Sequence, residues 1–263
     1  MSLTLKPLPA FTDNYIWLLH DDAHAVVVDP GATEPVTAYL DAQALQLAAV
    51  LITHHHADHI GGLSALLHSH GGPDTLVAGP ADERIHALTT VVGEADRLHI
   101  EALQLDFAVL EVPGHTRSHI AFHNDRWLFA GDTLFSVGCG RLFEGSAGQM
   151  QYSLDKLTAL PGQLLLCCAH EYTADNCRFA CSVEPDNAAL QQRCEQVQVL
   201  RSKSQPTLPV SLAAEITYNP FLRTREPAVA RAAARHAGLS PAQASELSAA
   251  QVMAIVRSWK DQY

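Results

Sequence analysis

No stretch of this 263-residue chain is long and apolar enough to span a bilayer. Runs such as Leu164–Ala169 hold only a handful of residues, whereas a spanning helix takes about 20. There is no basic surplus either: 17 Lys and Arg stand against 28 Asp and Glu, a net charge of −11. That balance excludes the concentrated basic face that nucleic-acid binding requires. The six cysteines form no CxxC pair, and Cys167 and Cys168 are adjacent. Reduced thiols are therefore expected rather than a disulfide framework. The opening MSLTLKPLPAFTDN carries one lysine and no sustained apolar core, unlike a secretory signal. The sequence thus predicts a soluble, cytoplasmic protein with no membrane and no nucleic-acid partner, and a monomer is expected.

Repeats and low-complexity segments are absent too. With 48% apolar and 17% charged residues, the composition is that of a globular chain with a real core, not of a disordered one. Charge is distributed unevenly. Residues 1–170 hold seven Lys and Arg against nineteen Asp and Glu, a balance of −12, while residues 171–263 hold ten against nine, or +1. Two segments with different tasks are implied.

Periodicity agrees. Strands are predicted at Tyr15–His20, Ala25–Asp29, Ala48–Thr53, Thr75–Ala78, Ala108–Val112, His119–His123, Trp127–Ala130 and Leu164–Cys168. Helices are predicted at Glu34–Leu47, Gly61–His70 and Gln149–Leu160. Beyond Tyr172 the pattern turns helical, at Ala174–Cys181, Asn187–Ser204, Pro227–Ala237 and Ala249–Asp261, with no convincing strand. The expected organisation is a mixed α/β layered domain, residues 1–172, followed by a helical domain, residues 173–263.

Fifteen histidines are the abundance that matters. The loop after Ala48–Thr53 reads THHHADH, Thr53–His59. Alternate side chains of an extended segment share a face, so His54 and His56 point one way and His55 the other. Asp58 and His59 follow on a turn. Three further strands end in a small residue and a ligand type: Gly114-His115, Gly131-Asp132 and Ala169-His170. Strand ends are where loops converge on a site. Seven candidate ligands exceed what one tetrahedral zinc needs and suit two adjacent ions. The spacing assigns His54, His56 and His115 to the first and Asp58, His59 and His170 to the second. Asp132 bridges them, because a carboxylate offers two oxygens. Zinc is the first expectation for the two divalent ions, with iron or manganese as alternatives. Ions about 3.5–4 Å apart accommodate a bridging hydroxide, the nucleophile of a hydrolase.

The other histidines, His20, His24, His68, His70, His86, His99, His119, His123 and His236, are assigned to surface turns and strand ends. Asp29 either accepts a hydrogen bond from a ligating histidine or starts a turn.

The HxHxDH loop, His54–His59, resembles the mark of the metallo-β-lactamase superfamily. The segments TDNYIWLL (Thr12–Leu19), VVDPG (Val27–Gly31), GDTLFSVGCGRLFEG (Gly131–Gly145), CAHEYT (Cys168–Thr173), YNPFLR (Tyr218–Arg223) and RSWKDQY (Arg257–Tyr263) resemble its glyoxalase II branch, end to end. The resemblance implies an αββα sandwich with a C-terminal helical domain. It also implies hydrolysis of S-D-lactoylglutathione to glutathione and D-lactate, the second step of methylglyoxal detoxification. The family's glutathione contacts would fall on Arg141, Phe143, Tyr172, Arg257 and Lys260. Arg141 stands where lysine often occurs and keeps the charge. Phe143 lacks the hydroxyl of the family's tyrosine, a hydrogen bond of about 1 kcal/mol. A mononuclear-iron persulfide dioxygenase of the same fold is the alternative reading, disfavoured by the intact second set Asp58, His59 and His170.

Overall fold

The computed structural model describes residues 3–263. Two compact units are assembled from interleaved segments. The first takes the chain up to Glu111, then Ser118–Gly131 and Cys167–His170. The second takes Val112–Arg117, Asp132–Leu166 and Glu171–Tyr263.

The first unit opens with strands β1 (Thr4–Ala10), β2 (Asn14–His20) and β3 (His24–Val28), then helix α1 (Glu34–Gln43) and strand β4 (Gln46–Leu51). Helices α2 (Ala57–Ile60) and α3 (Leu63–His70) and strands β5 (Leu76–Gly79) and β6 (Thr90–Val91) follow. These strands form one sheet in the order β1-β2-β3-β4-β5-β6. β1, β2 and β3 pair antiparallel, and β3 to β6 run parallel. β1 has no counterpart among the predicted strands, because Pro7 and Pro9 read against one. It lies at the sheet edge, where a missing N–H costs no ladder bond. β2 is buried at every position but the last, the signature of a strand covered on both faces. Leu18, Val27, Val50 and Val77 of the sheet pack with Val36 and Leu40 of α1 and Leu63 and Leu66 of α3 in one core cluster. α1 stops at Gln43, short of the predicted Leu47, because Ala44 turns left-handed (φ 53°) and its N–H caps the helix.

A second, antiparallel set follows: β7 (Arg97–Ile100), β8 (Leu105–Glu111), β9 (Ile120–His123) and β10 (Trp127–Gly131). The sheet order places a later strand, Leu165–Cys168, beside β10.

The second unit contains the two-residue strands β11 (Leu134–Phe135) and β12 (Gly138–Cys139), helix α4 (Ala147–Thr158) and the start of β13 (Leu165–Cys168). Helices α5 (Thr173–Val183) and α6 (Ala188–Ser202), strand β14 (Val210–Ser211) and helices α7 (Leu212–Tyr218), α8 (Pro227–His236), α9 (Pro241–Glu246) and α10 (Ala249–Asp261) complete it. A capping box at Ser146 and Gln149 starts α4 two residues before the predicted Gln149. Asn187 caps α6 through its side chain, and Ser240 and Ser248 begin α9 and α10 the same way. The predicted absence of strands beyond Tyr172 fails at β14, which pairs with Leu165 and Leu166. Two residues are too few to show a period. Among the described residues, no helix is long and apolar enough to cross a membrane.

Candidate functional site

The THHHADH loop leaves β4 and enters α2. His54 and His59 are buried, with ring centroids 4.1 Å apart, and the His54 and His56 rings lie at 4.7 Å. The ligand atoms of Asp58, His59 and His170 lie within 4.8 Å of one another. His59 Nε2 and His170 Nε2 are 3.5 and 3.4 Å from Asp58 Oδ2. Those three candidate ligands are brought together inside the first unit by α2 and by the end of β13. A Cβ on Gly31 would overlap the Asp58 carbonyl oxygen, so the close approach of these two loops requires glycine.

Each member of this triad is held from behind. The His59 Nδ1 position is taken by Asp29 Oδ2 at 3.0 Å. Asp29 also accepts from the Thr53 N–H at 2.8 Å and the Thr53 hydroxyl at 2.7 Å. Asp29 therefore meets a candidate ligand, His59, by the hydrogen bond that the first of its two readings expects. His170 Nδ1 faces Asp13 Oδ1 at 2.7 Å. Asn14 Nδ2 donates to Asp58 Oδ2 at 3.0 Å. Asp13 and Asn14 carry no local signal in the sequence, since their partners lie 157 and 44 residues away. Such outer contacts fix the ring orientation and tautomer of a ligating histidine.

His55 turns to Asp82, 3.4 Å away. Asp82 is held by Arg84 and accepts from the Ser118 hydroxyl at 2.5 Å. The Arg84 guanidinium keeps the Asp82 carboxyl well below the usual carboxylate range. His119 departs from its predicted surface place. It is fully buried and stacks on His54 with centroids 4.6 Å apart. A residue between a loop and β9 gives no periodicity by which burial could be read.

The second unit holds His115 and Asp132, with Nε2 and Oδ2 3.4 Å apart. His115 Nδ1 donates to the Arg141 carbonyl at 2.9 Å, which sets its tautomer. A Cβ on Gly140 would overlap the Asp132 carbonyl oxygen, so the chain passes here only as glycine. His115 and Asp132 line a cavity of ≈ 630 Å³ whose wall also includes Arg141, Phe143, Tyr172, Arg257 and Lys260. All five residues expected to contact glutathione thus share one cavity. Asp175, Arg178 and Tyr263 line it as well and were not singled out in the sequence. The Phe143 ring meets His115 edge-on at 5.2 Å, and Tyr172 meets Phe135 at 5.3 Å.

The cations differ in kind. Arg141 is exposed. Arg257 is buried, donating to the Cys139 carbonyl at 2.8 Å and to Asp261 at 3.0 Å. Burial, reinforced by Arg257, lowers the Lys260 ammonium to about 8.

The β11–β12 hairpin forms part of this wall. Glu215 accepts from the Val137 N–H at 2.8 Å and the Ser136 hydroxyl at 2.6 Å. Asn219 donates to the Phe135 and Gly138 carbonyls, and Asn176 to the Ser136 carbonyl. Burial pushes the Glu215 carboxyl up, opposed by its bonds from Ser136 and Val137. Val137 sits at φ 59°, a conformation costly for a β-branched residue; these side chains hold it there.

Residues 10–170 match the model of the metallo-beta-lactamase superfamily. A solved structure of the BLEG-1 B3 metallo-beta-lactamase has the same fold, with TM-score 0.60, 22% identity, and coverage of 84% of this chain and 99% of that one. The chain belongs to the metallo-β-lactamase superfamily. Residues 171–263 match the model described as hydroxyacylglutathione hydrolase C-terminus. The hydroxyacylglutathione hydrolase of Xanthomonas euvesicatoria pv. vesicatoria is 52% identical over 263 residues, covering 99% of both chains. Within the superfamily, the chain is thus a member of the hydroxyacylglutathione hydrolase family. ETHE1 from Myxococcus xanthus is a more distant structural relative, at 27% identity and TM-score 0.57 over 83% of this chain and 96% of that one.

Proposed function

We propose that this protein hydrolyses S-(2-hydroxyacyl)glutathione thioesters, S-D-lactoylglutathione first among them, to glutathione and the 2-hydroxy acid D-lactate. The observation that carries the reading is the cavity in which Arg141 and Lys260 share a wall with His115 and Asp132. An acidic protein that receives a tripeptide with two carboxylates needs local cations, and a guanidinium fork and an ammonium supply them. Tyr172 and Phe143 add ring surface for the peptide.

The donors are imidazole nitrogens and carboxylate oxygens, a set that fits zinc, iron or manganese better than calcium. In this reading His54, His56 and His115 hold one divalent ion, Asp58, His59 and His170 a second, and Asp132 is shared. Zinc is the ion we assign. Two such ions supply Lewis acidity, acidifying water and neutralising charge that develops on the thioester carbonyl oxygen. The protein's own groups do the rest. Arg141 and Lys260 fix the glutathione carboxylates, so the carbonyl is presented in one orientation. Asp58 orients the attacking water through its carboxylate. The leaving thiolate is a good leaving group and needs no protonation by a dedicated acid.

In this division of work residues 1–172 carry all seven ligands and three of the five glutathione contacts, and residues 173–263 supply the other two, Arg257 and Lys260. We expect the protein to act as a monomer. We place the reaction in the cytoplasm, in keeping with the six cysteines as free thiols.

The test is hydrolysis of S-D-lactoylglutathione by zinc-loaded protein, followed by loss of thioester absorbance, with metals counted per chain. Turnover with close to two ions is expected; two ions without turnover would discard the substrate. Asp132→Ala should lose metal and nearly all activity, and full metal content in that variant would sink the shared-ligand role. Oxygen consumption on glutathione persulfide would instead identify a dioxygenase.

A further inference from the structure

Three of the six cysteines gather where α5 and α6 pack together, and none of them is among the candidate ligands or the expected glutathione contacts. Cys181 Sγ and Cys194 Sγ are 3.7 Å apart. Cys177 joins the same core cluster. Cys181 and Cys194 are half-buried, whereas Cys139, Cys167, Cys168 and Cys177 are buried. On each helix the next residue, Ser182 or Glu195, is exposed, so a small oxidant reaches this pair before the others. At 3.7 Å the two sulfurs are already in contact, so little movement separates them from a bond.

We propose that Cys181 and Cys194 form a redox-responsive pair that oxidised glutathione converts to a disulfide tying α5 to α6. One thiol, as its thiolate, attacks a sulfur of oxidised glutathione and expels one glutathione thiolate. The second thiol then attacks the mixed disulfide and expels the other glutathione. Two protein thiols are oxidised, one oxidised glutathione is reduced to two glutathione molecules, and the two protons pass to the departing thiolates. Glutathione is the product of the reaction proposed above, but the pair itself does not depend on that reading.

Burial and the neighbouring thiol push Cys181 up to about 11, and the contact with Cys177 raises Cys194 further. The thiolate fraction at neutral pH is therefore small. Formation is slow at pH 7 and accelerates by about tenfold per pH unit toward that value. The same helix α5 carries Asp175, Asn176 and Arg178 in the cavity wall. The disulfide would thus tie to α6 a helix that lines the cavity.

Trypsin separates the three cysteines. Cleavage after Arg178, Arg193 and Arg201 puts Cys181 in residues 179–193, Cys194 in residues 194–201 and Cys177 in a preceding peptide. Reduced full-length protein equilibrated in mixtures of reduced and oxidised glutathione, alkylated and digested, should yield peptides 179–193 and 194–201 joined and lighter by two hydrogens. Thiols titrated under denaturing conditions should fall from six to four. The melting temperature should rise by roughly 5 °C, as for a short loop closed by a disulfide. Cys181→Ser and Cys194→Ser should each abolish the joined peptides while keeping turnover, and Cys177→Ser should retain them. Six persistent thiols, a stable glutathione adduct on either cysteine, or a Cys177–Cys194 linkage would each overturn the proposal.

Discussion

Replacing Asp13 and Asp29 one at a time separates two similar hydrogen bonds by the burial of the carboxylate. Both carboxylates face the Nδ1 of a buried candidate ligand, Asp13 at 2.7 Å from His170 and Asp29 at 3.0 Å from His59. The Asp13 side chain is 34% exposed and that of Asp29 only 5%. In Asp13→Ala, water reaches His170 in place of the carboxylate, so the loss is that of one charge-assisted bond, about 1 kcal/mol or less. In Asp29→Ala, the Thr53 N–H, the Thr53 hydroxyl and His59 lose a shared acceptor where water does not enter. Each buried donor left unsatisfied costs about 1–3 kcal/mol, for a total of about 3 kcal/mol or more. Metal affinity should follow the same order, falling about 100-fold in Asp29→Ala and about tenfold in Asp13→Ala. Urea unfolding reads the first quantity and competition with a zinc chelator the second, neither relying on turnover. If Asp13→Ala matched or exceeded Asp29→Ala on either readout, the burial argument would be wrong. Unchanged zinc affinity in both would remove these carboxylates from the metal centre.

Three further outcomes follow from the cavity. Lys260, lowered to about 8 by burial, loses its charge as pH passes that value, so KM for an anionic glutathione thioester should climb above pH 8 and Lys260→Met should flatten the profile. Because the unfolded lysine keeps its proton up to its ordinary value of 10.5, the unfolded state binds more protons between about 8 and 10.5. The contribution of Lys260 to stability therefore rises with pH across that window, which urea midpoints in wild type and Lys260→Met would show. Arg257→Ala leaves the buried Cys139 carbonyl without its donor and should lower stability by about 2 kcal/mol while raising KM; an unchanged urea midpoint would show that this bond does not stabilise the fold. Phe143→Tyr should lower KM for the glutathione thioester by up to about fivefold, the worth of one hydrogen bond near 1 kcal/mol, and an unchanged KM would show that the hydroxyl has no partner here.

What the sequence discloses depends on how local the cause is. Strands such as β3 and β10 announce themselves by β-branched and aromatic runs, and the candidate ligands by sitting on one loop or just after a strand. Asp58, His59 and His170 are brought together as their spacing implies. β1 is hidden by its two prolines, which only the edge position excuses. β7 is four residues long, and β11 and β12 two each, too short for their alternation to stand out from the flanking loops. Asp13, Asn14 and His119 owe their roles to partners brought near by the fold alone. Arg257 is the instructive case. Three residues from Lys260 on one helix, it reads as the other half of a pair of cations sharing a face, yet its guanidinium is buried against the Cys139 carbonyl. Burial of a long charged side chain depends on a hairpin 118 residues earlier, which no helical pattern reports.

The β11–β12 hairpin has a consequence for synthesis. Its backbone groups are bonded by Asn176, Glu215, Asn219 and Arg257, all made after it. At about 5–20 residues per second, the nascent hairpin waits on the order of ten seconds for Arg257. Until then the carbonyls of Phe135, Ser136, Gly138 and Cys139 are solvated by water, and Val137 has nothing to hold it in its left-handed conformation. Most of the histidine loop's own contacts, by contrast, come from residues already translated, with β9, β10 and His170 the latest to arrive. An arrested or C-terminally clipped chain would therefore keep the Asp58, His59 and His170 cluster of the first unit while the cavity of the second is left unformed, able to take metal but not to discriminate a thioester.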